Sequence, residues 1–309
     1  MKNLKLLLVS LAILFSHNLT MGQGAKEGKK ERSAVKSALN AFKFRSIGPA
    51  FMSGRIADIA IDPKNENVWY VAVGSGGVWK TENSGTTWTP LADNMPFYST
   101  GCITIDPHNN ASIWLGTGEN VGGRHVGIGH GVYHSKDGGK SWKDMGLKKS
   151  EHISKIIVHP EDPNTVWVAS QGPLWSPGGE RGLFKTTNGG KTWKNTLDIN
   201  EWTGVTDLVI DPTNPNVLYA ASWQKHRNVA ALIGGGPGTS LYKSVDGGDN
   251  WSKIDKGLPK SNKGKIGLAI SPMQPNVLYA AVELDKRAGA VYRSDNSGGS
   301  WKKMSDTVS

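Results

Sequence analysis

The sequence predicts an all-β fold, a propeller of four-stranded blades, on three observations: two short motifs that each recur five times in alternation, apolar runs of strand length, and 39 Gly with 15 Pro among 309 residues. The first motif is an apolar strand closed by a proline turn and followed by a second apolar strand. It reads Ile61-Asp62-Pro63 before Val68-Trp69-Tyr70, Ile105-Asp106-Pro107 before Ile113-Trp114-Leu115, and Val158-His159-Pro160 before Val166-Trp167-Val168. Two further copies are Ile210-Asp211-Pro212 before Val217-Leu218-Tyr219 and Ile270-Ser271-Pro272 before Val277-Leu278-Tyr279. The second motif, S/T-x-D/N-x-G-x-x-W, places Asn83, Asp137, Asn188, Asp246 and Asn296 five residues before Trp88, Trp142, Trp193, Trp251 and Trp301.

Each position of the second motif has a mechanical reason. An Asp or Asn side chain bonds backbone amides two residues on, Gly tolerates the positive φ of a tight hairpin, and Trp covers the turn. A calcium loop needs alternating carboxylates and a distal Glu, which these turns lack, so the motif is structural and no metal or cofactor is expected. The second strands of the units are unbroken apolar runs, which require cover on both faces; in a propeller the neighbouring blades supply it. Blades are expected at about 55–93, 99–146, 153–197, 204–258 and 265–305, within a domain spanning 42–309. They form either a closed five-bladed ring, with 42–47 pairing to the last blade, or part of a larger propeller that needs a partner chain for its edges.

The first 22 residues read as a signal peptide: Lys2 and Lys5 precede a ten-residue apolar run, too short to span a bilayer, and small residues follow at a cleavage site. The mature protein is then expected to be secreted or periplasmic, without a membrane span. Residues 23–41 read as a basic, solvated, mobile leader. Of the net charge of +10, two come from Lys2 and Lys5 and four from residues 23–43, and the repeats show no basic stripe, which argues against nucleic acid as a partner. Cys102, the single cysteine, lies in a predicted strand and reads as core filler.

These repeats resemble the Asp-box (BNR-repeat) superfamily, and most nearly the secreted bacterial proteins related to xyloglucanase-type glycoside hydrolases and to the sortilin propeller, over residues 44–301. Enzymes of the xyloglucanase type place a catalytic Asp two residues before a Gly-Gly-x-aromatic stretch. Here the stretch is Gly76, Gly77, Val78 and Trp79, and the catalytic position is Gly74. Inverting hydrolysis needs two carboxyl groups flanking the bond, so the resemblance does not carry over the family's catalytic pair. A sialidase reading lacks an assignable arginine triad.

The proline turns and the second motif fall on one rim of a propeller, which leaves the loops between second and third strands, and between successive blades, on the other. Three of those loops are long, at 116–131, 171–182 and 223–239. They carry Arg124, His125, His130, Arg181 and Arg227 as candidate ligand-binding residues. Of 12 Trp, only Trp175, Trp202 and Trp223 fall outside the repeats, and a flat aromatic on a loop can stack on a sugar ring or a peptide side chain. Glu119, Glu180 and Glu201 are the acid or base candidates on that rim. The expected function is a polysaccharide- or peptide-binding scaffold, with a glycoside hydrolase as the alternative.

Overall fold

The computed structural model describes residues 55–123, 125–284 and 289–305. The signal peptide, the basic leader, the 42–47 strand and Arg124 lie outside the described residues. Within them, five four-stranded antiparallel sheets follow one another along the chain. The first comprises β1 (Ile56–Ile61), β2 (Trp69–Val73), β3 (Gly77–Thr81) and β4 (Thr89–Pro90). The second comprises β5 (Thr100–Asp106), β6 (Asn109–Thr117), β7 (Val132–Ser135) and β8 (Lys143–Asp144). The third has β9 (Ile153–Val158), β10 (Val166–Ser170), β11 (Gly182–Thr186) and β12 (Lys194–Leu197). The fourth has β13 (Thr203–Ile210) and β14 (Leu218–Gln224), then a two-stranded insertion of β15 (His226–Arg227) and β16 (Leu232–Ile233), then β17 (Leu241–Ser244) and β18 (Ser252–Lys253). The fifth has β19 (Lys263–Ile270), β20 (Leu278–Leu284), β21 (Gly289–Ser294) and β22 (Lys302–Lys303). This is a β-propeller architecture, each sheet a blade.

The apolar core divides into four clusters, one between each pair of consecutive blades. Period-2 alternation explains how one strand serves two of them. In β6, Ile113 and Leu115 pack toward blade one while Trp114 packs toward blade three. In β10, Val166 and Val168 face blade two, and Trp167 and Ala169 face blade four. The unbroken apolar runs are therefore sheets covered on both sides. In β20 only one face is covered: Leu278, Ala280 and Val282 are buried, whereas Tyr279, Ala281 and Glu283 are exposed. Cys102 is buried in the second cluster and burial pushes its thiol upward, which suits a filler rather than a nucleophile.

Side chains of the inner strands reach across to the next blade. Asp58 Oδ2 accepts the Ile103 amide at 3.1 Å, and Asp207 Oδ2 accepts that of Leu268 at 2.8 Å. Thr104 donates to Ile156 O at 2.8 Å and Ser154 to Val205 O at 3.2 Å. Each inner strand also carries a register shift near its start, as between Thr100 and Cys102 or Val205 and Asp207. Such bulges re-aim side chains toward a neighbour.

The repeated hairpins close as one design. In the first, Thr81 donates its hydroxyl to Asn83 Oδ1 and accepts the Gly85 amide, while Asn83 Oδ1 accepts the amide of Thr87 at 2.9 Å. The Asp or Asn thus bonds an amide four residues on, not two, because its side chain spans the hairpin. At its tip Ser84 and Gly85 both have positive φ, at 55° and 89°. Each hairpin also donates one amide to the proline turn of its own blade, through Ser84, Gly138, Gly189, Gly247 and Ser297, which puts both motifs on one rim. Bonds to the Ser141 hydroxyl and amide hold the Asp137 carboxyl down to about 2. The tryptophans do more than cover the turn: Trp142, Trp193 and Trp301 donate their indole N–H to Leu91, Met145 and Ile254 carbonyls of the preceding blade.

Equivalent second-strand positions should therefore differ in worth according to their neighbours. Trp167→Ala removes a side chain packed between two blades and is expected to cost about 3–5 kcal/mol. Tyr279→Ala, on the uncovered face of β20, should cost under about 1 kcal/mol. Chemical denaturation of the two variants measures the difference.

Candidate functional site

The three long loops interlock over the inner strands. Gln171 Nε2 donates to Asn120 O at 3.2 Å, joining the loops of blades three and two. Lys225 Nζ donates to Gln171 Oε1 at 2.8 Å from blade four, and Lys265 Nζ to Asn120 O at 2.6 Å from blade five. Both ammonium groups also lie over the Trp223 ring, Lys225 at 5.3 Å and Lys265 at 5.6 Å from its centroid. Burial, then Arg181 and Lys265, hold Lys225 well below the usual lysine range. Burial and then Lys225 bring His152 down to about 3, so its imidazole is neutral. Beneath the network Asp58, Lys155, Asp207 and Lys265 line a cavity of about 280 Å³.

The rim tryptophans are paired with cations. Arg227 sits 6.0 Å over Trp175, and Arg181 5.9 Å over Trp202, which also meets His226 at 4.0 Å between ring centroids. Their exposure separates them. Trp175 is 44% exposed, Trp202 is half-buried, and Trp223 is buried with its indole N–H on Gly234 O. Trp223 therefore packs under its own loop instead of facing a ligand. Arg181 is a second correction. It is buried, and four of its five guanidinium N–H groups go to carbonyls of Gly178, Gln171, Pro173 and Ser176, so it shapes the 171–182 loop. Arg227 donates to Gly122 O at 3.2 Å and tethers the β15–β16 insertion to the blade-two loop. That insertion exposes Val229, Leu232 and Ile233 on the same rim, and His125 and His130 are exposed on theirs.

The three candidate acids have different fates. Glu119 is 2% exposed, and its Oε1 accepts Arg55 Nε at 2.9 Å and Nη2 at 2.6 Å, while Oε2 accepts the Gly127 amide at 2.9 Å. Glu180 Oε2 accepts the Lys149 amide at 2.7 Å. Glu201 is exposed. No group of three metal-ligating side chains converges among the described residues.

Glu119 occupies a particular place. A Cβ added at Gly74 would lie 2.4 Å from Glu119 Oε1. Blade two thus sends a carboxylate into the space that a side chain at position 74 would occupy. Spacing could not reveal this, since the two residues are 45 positions apart, nor could it single out Gln171 and Lys265 as the links of the polar network.

Gly74 and Glu119 should be energetically coupled. Glu119→Ala is expected to cost about 1–3 kcal/mol by leaving the Gly127 amide without its acceptor. Gly74→Ala is destabilising alone, and the double variant should be at least about 1 kcal/mol more stable than the sum of the two. Denaturant midpoints of the four proteins close the cycle.

Comparisons with known proteins bear on this site. A family described as Sortilin, neurotensin receptor 3 (Sortilin-Vps10) matches residues 130–258. The chain is 24% identical over 242 residues to a probable oligoxyloglucan-reducing end-specific xyloglucanase of Neosartorya fischeri, covering 72% of this chain and 26% of that enzyme. An ancestral GH74 enzyme of known structure matches with a TM-score of 0.64 at 25% identity, over 81% of this chain and 31% of that one. YCF48 bound to D1 peptide matches with a TM-score of 0.51 at 17% identity, over 84% and 70% of the two chains, a likeness of fold. The chain therefore spans less than a third of the xyloglucan-cleaving relative it resembles.

Proposed function

We propose, on the premise that the chain is an Asp-box β-propeller, that it is an exported binding module whose loop rim recognises an extended polymer, a polysaccharide in the first instance, without cleaving it. The observation that carries this reading is the half-exposed Trp175 with Arg227 over its ring, beside the exposed apolar tip of the β15–β16 insertion. A partly exposed indole offers a stacking face, and the cation above it fixes the ring and supplies donors for hydroxyl groups. Two of the three rim acids are engaged in holding loops together, which leaves Glu201 without a second free carboxyl. The peptide partner of YCF48 makes an extended peptide the second ligand class to try.

The alternative, glycoside hydrolysis, is favoured by one observation: Glu119 brings a carboxylate to the space above Gly74. Against it stands the ion pair. A carboxylate that is 2% exposed and accepts three hydrogen bonds has little access to a substrate or an attacking water.

Affinity electrophoresis against neutral glucans and xyloglucan, with reducing-end release assayed in parallel, separates the readings. Trp175→Ala is expected to weaken retention about tenfold or more, with no sugar released by the unaltered protein. Equal retention of the variant rejects the site, and release that disappears in Glu119→Gln establishes hydrolysis instead.

A further inference from the structure

A second cavity on the rim lies away from Trp175. It measures about 510 Å³ and lies where the connection from β18 to β19 meets the 223–239 loop. One wall is Gly236 and Pro237; the other is the run from Lys253 to Lys263. Its frame is fixed. Leu258 is buried in the core between blades four and five, and the Lys256 carbonyl accepts the Trp301 amide at 2.8 Å. Gly257, at φ 92°, lies so close to the Trp301 carbonyl that any side chain would collide with it. The Gly236 amide donates to Lys263 O at 3.2 Å and ties the two walls.

Four lysines line this cavity, Lys253, Lys256, Lys260 and Lys263, against the single carboxylate of Asp255, which pairs with Lys253 at 3.0 Å. Lys263 is only 7% exposed, and its ammonium donates to the Pro259 carbonyl at 3.2 Å rather than to any carboxylate. Burial and then Lys253 lower its proton affinity. Lys256 and Lys260 are exposed and pair with no carboxylate among the described residues. Asp255, in the same lining, offsets the cost of the buried Lys263 ammonium in part but is paired with Lys253, and an anion entering the cavity would offset the remainder.

The lining narrows the ligand class. It contains no aromatic ring on which a nucleobase could stack, whereas Ser261 and Asn262 offer hydroxyl and amide groups beside the ammonium ions. The volume lies in the range that holds a small ligand or one or two sugar residues. We infer that this cavity is a second subsite, binding a carboxylate- or sulfate-bearing sugar of an acidic polysaccharide through Lys256, Lys260 and Lys263. It is separate from the Trp175 surface, and it stands if that surface binds nothing.

The full chain is titrated with polygalacturonate, dextran sulfate, neutral xyloglucan and inorganic phosphate. At least one acidic polymer should bind, more weakly as salt is raised, and Lys256→Ala/Lys260→Ala should weaken it about tenfold while leaving any retention on xyloglucan unchanged. Both positions are exposed, so folding is spared, and Lys191→Ala/Lys194→Ala on a distant hairpin should leave affinity intact. Equal losses in the two double variants would reduce the effect to general charge attraction and overturn the subsite. So would undiminished binding in Lys256→Ala/Lys260→Ala, or inorganic phosphate that displaces the polymer as well as free galacturonate does. Trp175→Ala tests the neutral surface alone, so the two proposals fail independently.

Discussion

A strand of Val, Trp, Leu and Ala with no polar face can be buried only when its sheet has a neighbour on each side. Strands β6, β10 and β14 are of that kind, and the four apolar clusters between consecutive blades are what this requirement produces. The remaining architecture keeps those sheets at stacking distance. Asp58, Thr104, Ser154 and Asp207 hold successive inner strands together, and the hairpin tryptophans do the same farther out. Loops on the opposite rim are then brought together whatever their sequence, which is how Asn120, Gln171, Lys225 and Lys265 from four blades come to share one network.

The blades were legible because their signals are local. A proline turn and a Thr-Glu-Asn-Ser-Gly hairpin are decided within a few residues, and recurrence removes ambiguity that one copy would leave. The strands buried on both faces were legible from β10, where no polar residue interrupts Val166 to Ala169. What was not legible depends on partners remote in the chain. Arg181 reads as a loop cation, yet its own loop folds around it and takes four of its five donors. Trp223 reads as a surplus aromatic, yet it is buried, with Lys225 of its own blade and Lys265 of the next close to its ring. Nothing near Gly74 announces that Glu119 fills the space beside it.

Chemically, the rim is a surface of cations and aromatic rings on which two of the three candidate acids, Glu119 and Glu180, are recruited into structure and Glu201 is exposed. Glu119 and Glu180 each accept a backbone amide from another segment and so hold loops in place. Lysines without carboxylate partners are the converse case. Where they surround a cavity with a fixed frame, their charge is available to a ligand.

Amide hydrogen exchange resolved by strand tests the stacking requirement most directly. The account predicts that the slowest amides lie in β6, β10 and β14 and share one opening free energy. These three strands exchanging with unrelated free energies, or faster than the hairpin strands β8, β12 and β18, would contradict it.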